Sequence, residues 1–134
     1  MAACQAANAT AGEIVISDSW GRPSPMSADN GAFYMNIANQ TGAADALTAV
    51  STDACETVEL HEGFMKENGA MGMRPVEGGQ IELPADEMVN LKPGGLHVMC
   101  IGKTIPFDAG TEVTLNLQFE TAADLSITVP IQEQ

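Results

Sequence analysis

The sequence is poor in basic residues and has no long apolar run. Five Lys and Arg stand against eighteen Asp and Glu, which gives a formal net charge of -13 over 134 residues. So acidic a chain is repelled by nucleic acid and by anionic membrane surfaces. No window approaches the roughly 20 apolar residues of a membrane-spanning helix. These absences exclude a nucleic-acid partner and leave a chain of the size of one ordinary domain.

Cysteine is also scarce, and its number is odd. The three cysteines are Cys4, Cys55 and Cys100, and no two of them form a CxxC motif. An odd number leaves at least one unpaired within the chain, and the set does not have the pattern of a disulfide framework. The state of Cys55 and Cys100 stays open at this point. Cys4 follows small residues and precedes a small, polar stretch, which suggests a lipoprotein cysteine; a free cysteine in a tail is the alternative. We expect residues 1–12 to be a disordered leader or tether.

No long segment has apolar residues at the spacing of an α-helix. Instead, the chain has short runs in which apolar and polar residues alternate. In Thr57 to His61, for example, alternation predicts that Val58 and Leu60 face a core while Glu59 and His61 face outward. Residues 63–72 are expected to form a loop or hairpin. Many short strands between turn residues indicate a single all-β sandwich or barrel over residues 13–134. The predicted strands are 13–20, 33–39, 46–51, 57–61, 81–84, 88–91, 96–101, 111–119 and 125–130.

Histidine and methionine carry the chemistry that the pattern suggests. The chain has two His and eight Met. Strand alternation puts His97 and Met99 on one face, and three methionines follow His61 closely. Imidazole and neutral thioether suit Cu(I), whereas Mg, Ca and Mn prefer oxygen ligands and zinc prefers thiolate. The candidate ligands are His61, Met65, Met71, Met73, His97 and Met99.

Other functions remain in view. A blue-copper electron-transfer protein or copper enzyme would need a Cys ligand, but Cys100 is expected to point away from His97 and Met99. With both histidines on a metal, none remains as a general base, so we expect no enzyme. A metal-free structural β-sandwich is the remaining alternative.

Three blocks resemble the periplasmic copper chaperone family called PCuAC. They are ELHE at 59–62, MRPV at 73–76 and LKPGGLHVM at 91–99. The resemblance covers roughly residues 13–131 and implies a cupredoxin-like or immunoglobulin-like Greek-key β-sandwich. It also implies a Cu(I) site of His61, Met73, His97 and Met99, with Met71 or Met65 as substitute or additional ligands.

The resemblance further implies a biological role. Such a protein would carry Cu(I) in the periplasm or extracytoplasmic envelope toward the copper centres of cytochrome c oxidase. Its partner would be an oxidase copper subunit or a Sco-like protein, and Cys4 would supply a lipid anchor. An envelope copper storage or scavenging protein is the alternative. An exposed Met-rich site is also compatible with a metal-bridged dimer.

Overall fold

The computed structural model describes residues 13–25 and 27–133, and regular structure in this part of the chain is almost entirely β. One 3-10 turn, Glu77–Gly79, interrupts the strands. In these residues there is no helix with the length and apolar character needed to cross a membrane. The strands are β1 Ile14–Gly21, β2 Asn30–Asn39, β3 Asp45–Ser51, β4 Cys55–Met65, β5 Met71–Pro75, β6 Ile81–Leu83, β7 Met88–Leu91, β8 His97–Lys103, β9 Glu112–Phe119 and β10 Leu125–Pro130.

The strands form two antiparallel sheets. The four-stranded sheet has the order β10-β9-β3-β6, and the six-stranded sheet has the order β1-β2-β8-β4-β5, with β7 also paired to β2. The predicted all-β sandwich is confirmed. The predicted leader, residues 1–12, lies outside the described residues.

The core lies between the inner faces of the two sheets. Leu60 of β4, Val98 of β8 and Phe33 of β2 are buried there, together with Leu115 and Leu117 of β9. Successive side chains of a strand point to opposite faces. The strand neighbours of Leu60, Val98 and Phe33 therefore lie on the outer face of the six-stranded sheet.

One core feature was left open by the sequence. Cys55 and Cys100 form a disulfide, with Cα atoms 5.5 Å apart and 45 residues of sequence separation. The sequence could not predict this pairing, because it depends on how β4 and β8 meet. Cys100 is fully buried in the core and points away from Met99, as alternation predicted. Cys4 lies outside the described residues.

The hairpin after His61 is more regular than expected. The predicted strand 57–61 extends to Met65, and Met71 to Pro75 form the returning strand. Pairing from His61 with Pro75 to Met65 with Met71 keeps both strands extended. Of the two predictions for 63–72, a loop or a hairpin, the hairpin is confirmed, and its turn begins only after Met65.

Candidate metal centre

The two histidines lie side by side on the outer face of the six-stranded sheet. His61 of β4 and His97 of β8 are direct partners in the strand register, and their ring centroids are 5.9 Å apart. Such pairs on one face of a sheet are close enough for their side chains to meet. Residues 36 positions apart in sequence are therefore brought together by the pairing of β4 with β8.

His97 presents one unused nitrogen. Its side chain is buried, at 2% exposure, and its Nδ1 lies 3.0 Å from the carbonyl oxygen of Gly95. Because a carbonyl only accepts, Nδ1 carries the proton in the neutral ring and donates it. Nε2 then holds the lone pair, and it is buried with no hydrogen-bond partner among the described residues.

The charge state of His97 favours that lone pair. Burial lowers the pKa of His97, and the neighbouring His61 lowers it further, while the hydrogen bond to Gly95 raises it. The lowered pKa keeps the ring neutral around pH 7, and a neutral imidazole is the form that binds metals.

His61 presents the opposite nitrogen. Its Nε2 lies 2.8 Å from Glu59 Oε1 and donates to that carboxylate. Its Nδ1 is buried and finds no partner in the described part of the chain. A carboxylate behind the N–H of a histidine is the usual way in which a metal-binding ring is held in one tautomer and orientation.

The two unpartnered nitrogens are the test of whether a metal fits. Buried polar side-chain atoms in folded proteins nearly always have a partner, so each exception needs an explanation. Here both exceptions are imidazole nitrogens with free lone pairs, on adjacent rings. A cation bound between them would satisfy both.

Two of the candidate methionines lie around a common depression beside this pair. Met99 and Met73 line a depression of about 230 Å³ together with Tyr34, Arg22 and Ala32. Met99 is buried at 7% exposure, whereas Met73 is 61% exposed. The prediction of an exposed ligand face was therefore correct for Met73 and wrong for His97 and Met99, which neighbouring segments cover.

The remaining two methionines lie farther along the hairpin. Met65 is 67% exposed, and its Cα is paired with that of Met71. This pair is two register positions beyond the pair of Gly63 with Met73, toward the hairpin turn. The arrangement thus places Met65 farther from the histidines than Met73.

Hard-metal sites are not part of this arrangement. Across residues 13–25 and 27–133, no group of three or more His, Cys, Asp or Glu side chains could hold a metal ion. A metal at the His61–His97 pair would therefore need the thioether ligands, which select a soft ion.

Sequence reasoning missed the residues that enclose the site. Tyr34 of β2 is buried, and its ring centroid lies 6.1 Å from that of His97. The ring centroid of Trp20 lies 4.7 Å from that of Tyr34.

The turn before His97 packs directly on β4, because a Cβ on Gly63 would overlap the carbonyl oxygen of Gly94. A glycine two residues after His61, within an alternating strand, was the one local signal of this contact.

Comparison with known proteins agrees with this architecture. A family model described as "Putative lipoprotein LpqE-like" matches residues 14–131. The chain belongs to the LpqE-like family. A "Putative lipoprotein" of Leifsonia xyli subsp. xyli is 28% identical over 102 residues, or 76% of this chain; the chain spans only 60% of that relative's length.

Solved structures share the fold of this LpqE-like chain. The copper-bound PCuAC domain from PmoF2 superposes with a TM-score of 0.75 at 23% identity, covering 93% of this chain and 97% of that domain. The Cu(I) form of DR1885 from Deinococcus radiodurans gives 0.71 at 24% identity, covering 97% of this chain and 85% of the other. These likenesses confirm the predicted cupredoxin-like β-sandwich and the resemblance to PCuAC domains. The expectation that the chain is not an enzyme agrees with them, since the descriptions are of lipoproteins and PCuAC domains.

Proposed function

We propose that this protein carries one Cu(I) ion, held by His61, His97, Met99 and Met73, and passes it to an acceptor protein. The observation that carries the proposal is the pair of buried, unpartnered ring nitrogens, His61 Nδ1 and His97 Nε2. The copper named in the descriptions of the PmoF2 and DR1885 structures supports the choice of metal.

The donor set favours Cu(I) over other ions. Two neutral imidazoles and two thioethers add no negative charge, so the bound site keeps only the single charge of the ion. Thioethers bind Cu(I) well and bind hard divalent ions poorly. Met71 or Met65 remains a substitute or additional ligand, because both lie on the hairpin that carries Met73.

The unequal burial of the ligands suits a carrier. His97 and Met99 are buried and held by the strand β8, whereas Met73 is 61% exposed on the hairpin strand β5. A flexible methionine at the surface is the ligand that leaves most easily. An acceptor would then replace Met73 first, while the histidines still hold the ion.

The partner and location follow from the resemblance to PCuAC proteins. We propose that the acceptor is an oxidase copper subunit or a Sco-like protein, in the periplasm or extracytoplasmic envelope. The lipoprotein description of the family supports an anchored form, with Cys4 as the candidate lipid site. Copper transfer to an apo oxidase domain separates delivery from storage, since a storage protein would keep its ion.

A competitive titration tests the site. Wild type, the His61→Ala/His97→Ala double variant and Met99→Leu are titrated with Cu(I) under reducing conditions against a chromophoric chelator. We expect one tight equivalent in wild type, loss of tight binding in the double variant, and affinity at least about tenfold weaker in Met99→Leu, equal to about 1.4 kcal/mol.

The matched control is Met88→Leu. Met88 is also exposed, at 53%, but it lies on β7, away from the histidines. Its removal should leave the affinity unchanged. Unchanged Cu(I) affinity in the double-histidine variant would exclude the proposed site.

A further inference from the structure

The depression beside Met99 is open because its central residue is small. Ala32 of β2 is the direct register partner of Met99. Its methyl group leaves space between Met99, Met73, Tyr34 and Arg22, which line the depression with it. The resulting volume, about 230 Å³, is enough for one side chain of a partner. It opens on the two thioethers rather than on the histidines.

A positive charge lies at the rim of this depression. Arg22 is exposed, with its guanidinium carbon 5.8 Å from the Tyr34 ring centroid. Within the described residues it forms no ion pair with a carboxylate, whereas Arg74 pairs with Glu62. The chain has a net charge of -13, yet an arginine without an ion pair lies beside two candidate copper ligands. Since its positive charge repels a copper ion, Arg22 does not serve to bind the metal.

The wall that carries Arg22 is fixed to the sandwich. The Arg22 N–H donates to the Ala32 carbonyl at 3.0 Å, and the Ser24 N–H donates to the Phe107 carbonyl at 3.0 Å. The buried Lys103 ammonium donates to the carbonyl oxygens of Ser24 and Pro25. The backbone of the rim is thus held in place, and the exposed Arg22 side chain extends from it over the Tyr34 ring.

We propose that this depression admits the incoming cysteine thiolate of a copper-accepting protein, and that Arg22 favours that anionic sulfur over a neutral thioether. The inference rests on the proposed Cu(I) function and names the ligand class of the acceptor. A cation does not help to bind Cu(I), but it does attract a thiolate that approaches it.

The exchange is balanced without any change in oxidation state. The bond from copper to the Met73 sulfur breaks as a bond from copper to the cysteine sulfur forms. The thiol proton goes to water when the thiolate forms, and copper remains Cu(I). Glu59, the register partner of Met99 on β4, is hydrogen-bonded to His61 Nε2 and does not line the depression.

Transfer kinetics with two small acceptors test the inference. Cu(I)-loaded full chains are mixed at pH 8 with an excess of N-acetylcysteine amide or N-acetylmethionine amide. These probes differ in a thiolate versus a thioether and carry no other charge. Copper release is followed by the emission of Trp20, the single tryptophan, which stacks 4.7 Å from Tyr34. The readout is the ratio of the two rate constants, which cancels any change in copper affinity.

We expect Arg22→Gln to lower the thiolate-to-thioether ratio about three- to tenfold, the scale of two unit charges about 4 Å apart in a water-like dielectric, as suits an exposed side chain. Lys92→Gln removes an equal charge from an exposed turn outside the depression and should leave the ratio unchanged. An unchanged ratio in Arg22→Gln, or an equal fall in Lys92→Gln, would overturn the inference while leaving the copper function intact. Failure of the wild type to load Cu(I) would end both proposals.

Discussion

The two histidines use opposite ring nitrogens, and each choice is fixed by a neighbour. Glu59 holds Nε2 of His61, and the Gly95 carbonyl holds Nδ1 of His97. Turning either ring over would break its hydrogen bond and bury an unpaired polar atom, at a cost of about 1 to 3 kcal/mol. The candidate site is therefore organised before any metal binds.

The lowered pKa of His97 predicts a pH dependence of the metal-free protein. The unfolded chain takes up a proton near pH 6.5, while the buried His97 ring stays neutral to lower pH. The unfolded state then binds more protons, so stability falls as pH drops through about 6.5. Urea unfolding of the apo protein between pH 5 and 8 should show this decline in wild type and a smaller one in His97→Gln. Parallel curves for the two proteins would contradict the assignment of a neutral, buried His97.

For single residues, strand alternation predicted the face of the sheet to which a side chain points but not how deeply that side chain is buried. The sequence placed His97 and Met99 on one face because side chains repeat every two residues along a strand. It did not predict that both are buried, since the cover comes from Tyr34 and from segments distant in sequence. The register of β4 with β8 likewise brings the two histidine rings together and allows the Cys55–Cys100 disulfide. No local sequence pattern specifies that register.

The hairpin β4–β5 and the turn before β8 form one unit around the site. The Gly63 N–H donates to the Gly95 carbonyl at 3.0 Å, and that same carbonyl accepts from His97 Nδ1. The absence of a side chain at Gly63 allows the Gly94 carbonyl to lie against β4. A glycine in a strand interior often marks such a close approach of two backbones.

Gly63→Ala should therefore weaken both stability and copper binding. The added methyl group would push the turn away and misplace the carbonyl that orients His97; overpacking of this kind costs about 1 to 3 kcal/mol. Gly42→Ala is the control. Gly42 has a φ of 85° with no described atom within 4 Å of an added Cβ, so alanine there adds a backbone cost of about 1 to 2 kcal/mol. Urea unfolding and Cu(I) titration should show both variants destabilised and only Gly63→Ala impaired in Cu(I) affinity. Equal Cu(I) affinities would exclude the turn as a positioning element.

The elements themselves were largely predictable. Regular alternation in residues such as 111–119 predicts a strand, and β9 is observed at Glu112–Phe119. For 63–72 the sequence left a loop and a hairpin open, because the mixed charge and glycines of this segment resemble a loop. The cross-strand pairing that keeps Met65 and Met71 extended decides for the hairpin.

For the whole molecule, the disulfide determines which sulfur ligands are available. Cys55 and Cys100 are both buried and joined to each other, so neither supplies a thiolate to the outer face of the sheet. Thioethers are then the sulfur ligands beside the histidines. Closing a loop of 45 residues also stabilises the sandwich, by roughly 4 kcal/mol in the chain-entropy account.

Copper X-ray absorption spectroscopy on the Cu(I)-loaded protein is the most direct test of this account. A Cys4→Ser variant is measured beside the wild type, so that the remaining thiol cannot contribute. The account predicts one copper ion with a mixed shell of imidazole nitrogen and thioether sulfur, identical in the two proteins. A shell without nitrogen, a shell without sulfur, or a sulfur contribution lost in Cys4→Ser would contradict it.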